Sequence, residues 1–217
     1  MYPAGAYVTY EHEYILIFRK GGKREFVGIE KELRQASAYF WEERNLWFSD
    51  LWDIKGTTQA IFSSKASRDR NASYPLEVPY RLVCMYSVKG DTVLDPFAGL
   101  GTTSIACMMT GRNSISIDID REIVLLALEN MSIPVNTLNS FISARIMRHL
   151  NFIDSLPEDK KAKCYRNIPH GFMVKTRQET AICIEQLQSI SRKGNTFICQ
   201  YEKYQPEKRS EQITMLI

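Results

Sequence analysis

Apolar residues along this chain switch between alternating and helical spacing, and the switches delimit the expected elements. Thr92-Val93-Leu94 follows the turn residues Lys89-Gly90-Asp91 and reads as a buried strand. The run stops at Asp95 and passes through Gly99-Leu100-Gly101. It resumes as Thr103-Ser104-Ile105-Ala106-Cys107-Met108-Met109, small and apolar at helical spacing, with a stop at Gly111. Asn113 to Asp120 alternates as a second strand that ends in acid. Arg121–Met131 is an amphipathic helix broken at Ser132-Ile133-Pro134. Thr137–Phe152 is another helix, with Leu138, Phe141, Ile142, Ile146 and Leu150 at helical spacing and His149 expected on its surface. Upstream, Tyr7–Tyr10 and Tyr14–Phe18 are strand-like, Arg19–Lys23 is a turn, and Lys31–Arg44 reads as a helix. Pro79 sits where a proline can start the helix Tyr80–Ser87. Downstream come a charged linker at Pro157–Lys163, a helix over Thr176–Ser191 and a strand over Thr196–Tyr204.

Strand, glycine turn and helix form the opening unit of a nucleotide-binding α/β sheet, where the ligand sits beyond the carboxyl end of the strand. Gly99 and Gly101 permit a sharp turn with no Cβ between backbone and ligand. A phosphate cradle wants a third glycine or a Gly-Lys-Ser/Thr ending, and neither is present. That disfavours a dinucleotide enzyme. Asp118 ends the second strand, and an acid there suits the two hydroxyls of a ribose. The pattern points to an adenosine-type ligand held without a tight pyrophosphate grip.

Val93-Leu94-Asp95-Pro96-Phe97-Ala98-Gly99-Leu100-Gly101-Thr102-Thr103, followed by Gly111-Arg112 and the acid Asp118, resembles motifs one and two of the amino-group DNA methyltransferases, of the beta type. His12 to Lys20 resembles motif eight, which backs the target-base pocket in that family; a solvated strand edge is the other reading of His12 and Glu13. Trp47 to Lys55 resembles the segment that follows motif eight. Asn71 to Leu82 is similar to motif ten, which closes over the methionine part of the cofactor, although Arg70 stands where histidine is common. The resemblance implies a class I S-adenosylmethionine-dependent methyltransferase fold, Rossmann-like α/β. It implies cofactor contacts from Tyr74, Pro75, Asp95, Pro96, Phe97, Ala98, Gly99, Gly101, Thr102, Thr103 and Asp118. The cofactor implied is S-adenosyl-L-methionine, and the macromolecular partner is double-stranded DNA.

Composition adds limits. The 217 residues carry a net charge of +3, which permits nucleic-acid binding without demanding it. Five scattered cysteines, never in a Cys-x-x-Cys pair, suit reduced thiols in a cytoplasmic protein. Cys164 and His170 have no further ligands near them in sequence, so no metal site is expected. No apolar run approaches the ~20 residues that cross a bilayer.

The most informative feature is an absence. Family members carry an Asp/Ser/Asn-Pro-Pro-aromatic turn that accepts hydrogen bonds from the target amine and stacks on the flipped base. This sequence has eight prolines and no Pro-Pro pair. Ser155-Leu156-Pro157-Glu158 and Asn167-Ile168-Pro169-His170 lack the second proline and the aromatic, so no catalytic residue is assigned. The motif order matches the beta type from motif eight onward, as in the carboxyl half of such an enzyme. The expected fold is therefore incomplete and lacks the catalytic-motif strands.

Residues 1–25 are expected to form a strand hairpin and 26–70 a DNA-recognition segment. Residues 71–152 are expected to bind the cofactor, and 153–217 form an arm of unknown role. Within 26–70, Trp41, Trp47 and Trp52 suit either base stacking or a small core. The basic loop Ser63–Arg70 suits either phosphate contact or a solvated linker. Two function classes stay open. One is the cofactor- and DNA-binding part of a site-specific methyltransferase, in a restriction-modification system, completed by a separate polypeptide with the catalytic half. The other is a silent remnant or bare binding module. The likeness of Phe48 to Trp52 to cytosine-methylating members favours the cytosine 4-amino group over the adenine 6-amino group.

Overall fold

The structure, a computed structural model, describes residues 12–54 and 74–205. The strand expected at Tyr7–Tyr10 and the basic loop Ser63–Arg70 lie outside those residues. The chain forms one parallel pair among the described residues, β1 (Thr92–Asp95) and β2 (Asn113–Ser116), with Val93 opposite Ser114 and Leu94 opposite Ile115. Helix α4 (Thr102–Thr110) connects them, after α1 (Ile29–Ala36), α2 (Trp41–Trp47) and α3 (Glu77–Tyr86). Every residue of α4 is buried, as its small side chains allow, and Gly111 ends it in the left-handed conformation at φ +70.

After β2 come α5 (Arg121–Asn130) and the long α6 (Val135–Asp154), which Pro134 introduces. A short α7 (Glu158–Lys161) occupies the expected charged linker. Two antiparallel pairs follow, β3 (Tyr165–Arg166) with β4 (Met173–Val174), and β5 (Glu185–Lys193) with β6 (Thr196–Lys203).

The main core gathers Trp47, Tyr80, Val83, Cys84, α4, Ala127, Leu128, Leu138 and Leu187. A second cluster joins Phe40, Ile142, Ile146, Val174, Ile182 and Ile184. Both cores recruit residues beyond 152, so the carboxyl-terminal arm is built into the fold. The Tyr201 hydroxyl donates to the Met108 carbonyl at 2.8 Å, tying β6 to α4. Lys89 reaches across to the Cys183 carbonyl at 2.6 Å and the Glu185 carboxylate at 2.7 Å.

Four expectations are corrected. Tyr14–Phe18 forms no strand: among the described residues nothing pairs with it, and its side chains are exposed, Phe18 at 86%. The expected helix Lys31–Arg44 is two helices, because Phe40 takes an extended backbone (φ −69, ψ 158) while its ring enters the second cluster. Its amide then donates to the Glu43 carboxylate at 2.9 Å, which starts α2. Thr176–Ser191 is not a helix but a short 3₁₀ turn at Arg177–Glu179 followed by β5. Gln188 is an extra residue in the β5 ladder, so Leu187 and Ile190 stand three apart yet both face the main core. That bulge turns a strand's period of two into something that reads as helical.

His149 is the fourth. It is 1% exposed rather than on the helix surface. Its ring stacks on Phe40 at 3.8 Å between centroids, Nδ1 lies 2.7 Å from Glu42, and Nε2 lies 2.9 Å from the Met173 carbonyl. Four residues before it on α6, Arg145 forms a bidentate pair with Glu43 at 2.6 and 2.8 Å. Burial alone would lower the Arg145 pKa, but the Glu43 carboxylate outweighs it and holds the guanidinium charged. These two links, with the Trp41 amide donating to Glu179 at 2.8 Å, fasten α2 to α6 and to the arm.

Candidate cofactor site

The carboxyl ends of β1 and β2 lie side by side, because the register pairs Asp95 with Ser116. The chain leaving β1 folds back at once: the Phe97 amide donates to Asp95 Oδ1 at 3.1 Å, and the Ala98 amide to the Ile117 carbonyl at 2.9 Å. Pro96 and Phe97 face outward, Phe97 at 87% exposure, while Ala98 is buried. Gly99 (φ +51) and Gly101 (φ +81) then take backbone conformations that side chains disfavour. A Cβ on Gly99 would meet nothing within 4 Å; on Gly101 it would stand 3.4 Å from the Ala127 Cβ. The first glycine thus borders open space and the second lets α5 approach closely.

Asp118 stands across from this turn. Its Oδ2 accepts the Gly99 amide at 2.9 Å, and its Oδ1 accepts the Asp120 amide at 2.9 Å. Asp120 in turn caps α5, accepting the Glu122 amide at 2.9 Å. Thr102 and Thr103 occupy the buried first turn of α4. The Tyr74 hydroxyl lies 2.9 Å from Thr103 Oγ1 and donates to Asp95 Oδ2 at 3.5 Å. Burial raises the Tyr74 phenol pKa, against the Thr103 hydrogen bond, and the Asp95 charge adds to the rise. Pro75 follows, and its carbonyl accepts the Val78 amide at 3.0 Å at the start of α3.

The eleven residues expected to contact a cofactor thus form one neighbourhood, with Tyr74, Asp95 and Thr103 joined on one side and Gly99 and Asp118 on the other. Two supports had no sequence signal. Ser104 Oγ meets Ser116 and Ser114 Oγ at 2.5 and 3.1 Å, fastening α4 to β2. Asn130 donates to the Leu100 carbonyl at 3.2 Å.

The family model described as DNA methylase (N6_N4_Mtase) matches residues 1–129. The chain belongs to this DNA methylase family. It is 44% identical over 214 residues to the type II methyltransferase M.MthZI of Methanothermobacter thermautotrophicus, an alignment covering 97% of this chain and 59% of that one. It is 50% identical over 131 residues to the type II methyltransferase M.MjaI of Methanocaldococcus jannaschii, covering 60% of this chain and 42% of that one. The chain therefore spans roughly half of the length of the curated relatives it matches. The solved structure of a putative DNA modification methylase from Thermus thermophilus, complexed with S-adenosyl-L-methionine, aligns with a TM-score of 0.48 and 38% identity, over 60% of this chain and 48% of that one.

Within this chain the three tryptophans differ in setting. Trp47 is core and meets Tyr80 edge-on at 6.3 Å between ring centroids. Trp52 donates its indole N–H to the Trp47 carbonyl at 2.9 Å and lies under the Arg81 guanidinium at 5.0 Å. Trp41 stacks on Phe152 at 5.6 Å. His170 is also structural, its ring joining the Tyr204 carbonyl and the Ile184 amide at 2.9 and 2.8 Å. No described helix is long and apolar enough to cross a membrane.

Proposed function

We propose that this chain provides the S-adenosyl-L-methionine site of a type II DNA methyltransferase acting on an exocyclic amine in a restriction-modification system. The observation that carries the reading is the convergence of the Asp95–Thr103 turn and Asp118 at the carboxyl ends of β1 and β2. Both Asp118 oxygens accept backbone amides, and each keeps a further lone pair for a ribose hydroxyl. Gly99, with open space where a side chain would stand, and the Tyr74–Thr103 pair suit the methionine end. Bound there, the cofactor supplies an electrophilic sulfonium methyl. The chain's own residues orient it and leave the methyl open to an incoming amine.

The methyl acceptor is double-stranded DNA, with the 4-amino group of cytosine favoured and the 6-amino group of adenine the alternative, in the cytoplasm. Residues 26–70 contribute to DNA recognition, and the Pro-Pro-aromatic turn that this sequence lacks is contributed from outside these 217 residues. Two surfaces favour that division. Leu94 and Ile115, paired on one face of the β1–β2 sheet, are 59% and 54% exposed, although parallel sheets are ordinarily covered on both faces. Tyr14–Phe18 is a second apolar stretch left bare. A bare binding module that catalyses nothing is the other reading of the same surfaces.

Calorimetric titration of S-adenosyl-L-methionine into the chain tests the pocket. One site is expected, and Asp118→Ala, folded by circular dichroism, weakens it by roughly 1.5–3 kcal/mol, the scale of a hydrogen bond to a charged group. Unchanged affinity in that variant removes Asp118 from the site.

A further inference from the structure

The turn from Ala98 to Gly101 has three peptide planes that could rotate, since glycine offers little resistance at Gly99 and Gly101. Two of them are tied, the Ala98–Gly99 plane and the Leu100–Gly101 plane. In the first, the Gly99 amide donates to Asp118 and the Ala98 carbonyl accepts the Gly101 amide at 2.9 Å. In the second, the Gly101 amide is held by that same bond, and the Leu100 carbonyl is held by Asn130 Nδ2 at 3.2 Å. Asn130 is the last residue of α5, whose first turn is capped by Asp120, the neighbour of Asp118 along the ladder of bonds described above. Ala127 and Met131 lie against Gly101, 3.4 and 3.7 Å from where a Cβ would sit. One helix therefore bears on the ribose acid at its start and on the glycine turn at its end.

We infer that Asn130 is a positioning residue for the cofactor turn, fixing the Leu100–Gly101 peptide plane so that the turn is preset for the methionine half of S-adenosyl-L-methionine. The inference rests on the proposed pocket. Asn130 touches the turn and not the ligand, so its effect is confined to the ligand half that the turn faces. Adenosine, which has the ribose and base but no methionine, is bound through Asp118 and is indifferent to it.

The test is calorimetric titration of S-adenosyl-L-methionine and of adenosine into the full chain, unmodified and as Asn130→Ala, Asn130→Asp and Asn130→Gln. Alanine removes the donor, aspartate keeps the shape without a donor, and glutamine keeps a donor. Loss of one neutral hydrogen bond corresponds to roughly fivefold weaker binding. That loss is expected for S-adenosyl-L-methionine with alanine and aspartate, partial recovery with glutamine, and no change for adenosine. Aspartate carries the comparison if alanine does not fold. Unaltered affinity for S-adenosyl-L-methionine, or equal losses for both ligands, overturns the inference while leaving the pocket in place. Absence of S-adenosyl-L-methionine binding by the unmodified chain overturns the pocket, and the inference with it.

Discussion

Glu43 and Arg145 are both nearly buried, and each is the other's principal counter-charge. Glu43→Ala strands the guanidinium between Phe40, Trp47 and Tyr80. Breaking such a pair costs about 3–5 kcal/mol, so urea denaturation should show a loss of that size and a loosened α2. An effect below ~1 kcal/mol would mean that water reaches the pair and screens it. His170 gives a prediction with a sign. Burial lowers its pKa below the ordinary 6.5, against the pull of the Tyr204 carbonyl. The ring donates from Nδ1 to that carbonyl and accepts the Ile184 amide at Nε2, so it must stay neutral in the folded chain. The unfolded chain takes up the proton first as pH falls through about 6.5, and stability, full above that pH, declines toward the lowered folded value. Urea midpoints at pH 7.5 and 5.5 should therefore differ more for the unmodified chain than for His170→Gln. Equal differences would assign the pH response to other groups.

At the scale of elements, α4, the glycine turn and α5 were legible because pattern and packing agree there, whereas β1 forms as a strand but not the buried one expected, with Thr92 and Leu94 exposed. Legibility failed where a distant contact decided. Phe40 breaks a continuous helical pattern because its ring finds His149 and Phe172 far along the chain. His149 is buried because α2 supplies a carboxylate that no reading of Thr137–Phe152 could reveal. The site was readable as a set of residues, but Asn130 was not, since an asparagine at a helix end carries no sign of its acceptor. In β2 it is the polar side of the alternation that packs: Ser114 and Ser116 face α4 through Ser104, while Ile115 and, just past the strand, Ile117 are exposed. An uncovered apolar face beside a strand edge that pairs with nothing among the described residues is a template for association. The chain produced alone should self-associate, and Leu94→Lys with Ile115→Lys should shift sedimentation toward monomer. A wild-type monomer with strong amide protection across β1 would contradict this.

At the scale of the whole molecule, the arm beyond residue 152 and the segment around α2 are held together through α6, so the cofactor turn sits on a frame drawn from both sides of it in sequence. Asn139 on α6 exchanges two hydrogen bonds with Leu187 of β5, at 2.8 and 2.9 Å, and Tyr201 reaches α4. In the proposed reading this frame holds the methyl donor. Transfer needs more: an amine lone pair in line with the methyl, and an acceptor for the charge the amine develops. Of the three histidines, two are engaged in the fold, and no Pro-Pro-aromatic turn is present. Tritium transfer from labelled S-adenosyl-L-methionine to mixed-sequence DNA, with and without a polypeptide carrying that turn, measures the division of labour directly. The expected result is no incorporation by the chain alone and incorporation into cytosine N4 or adenine N6 by the mixture. Robust incorporation by the chain alone, or silence from the mixture with both polypeptides folded, would contradict it.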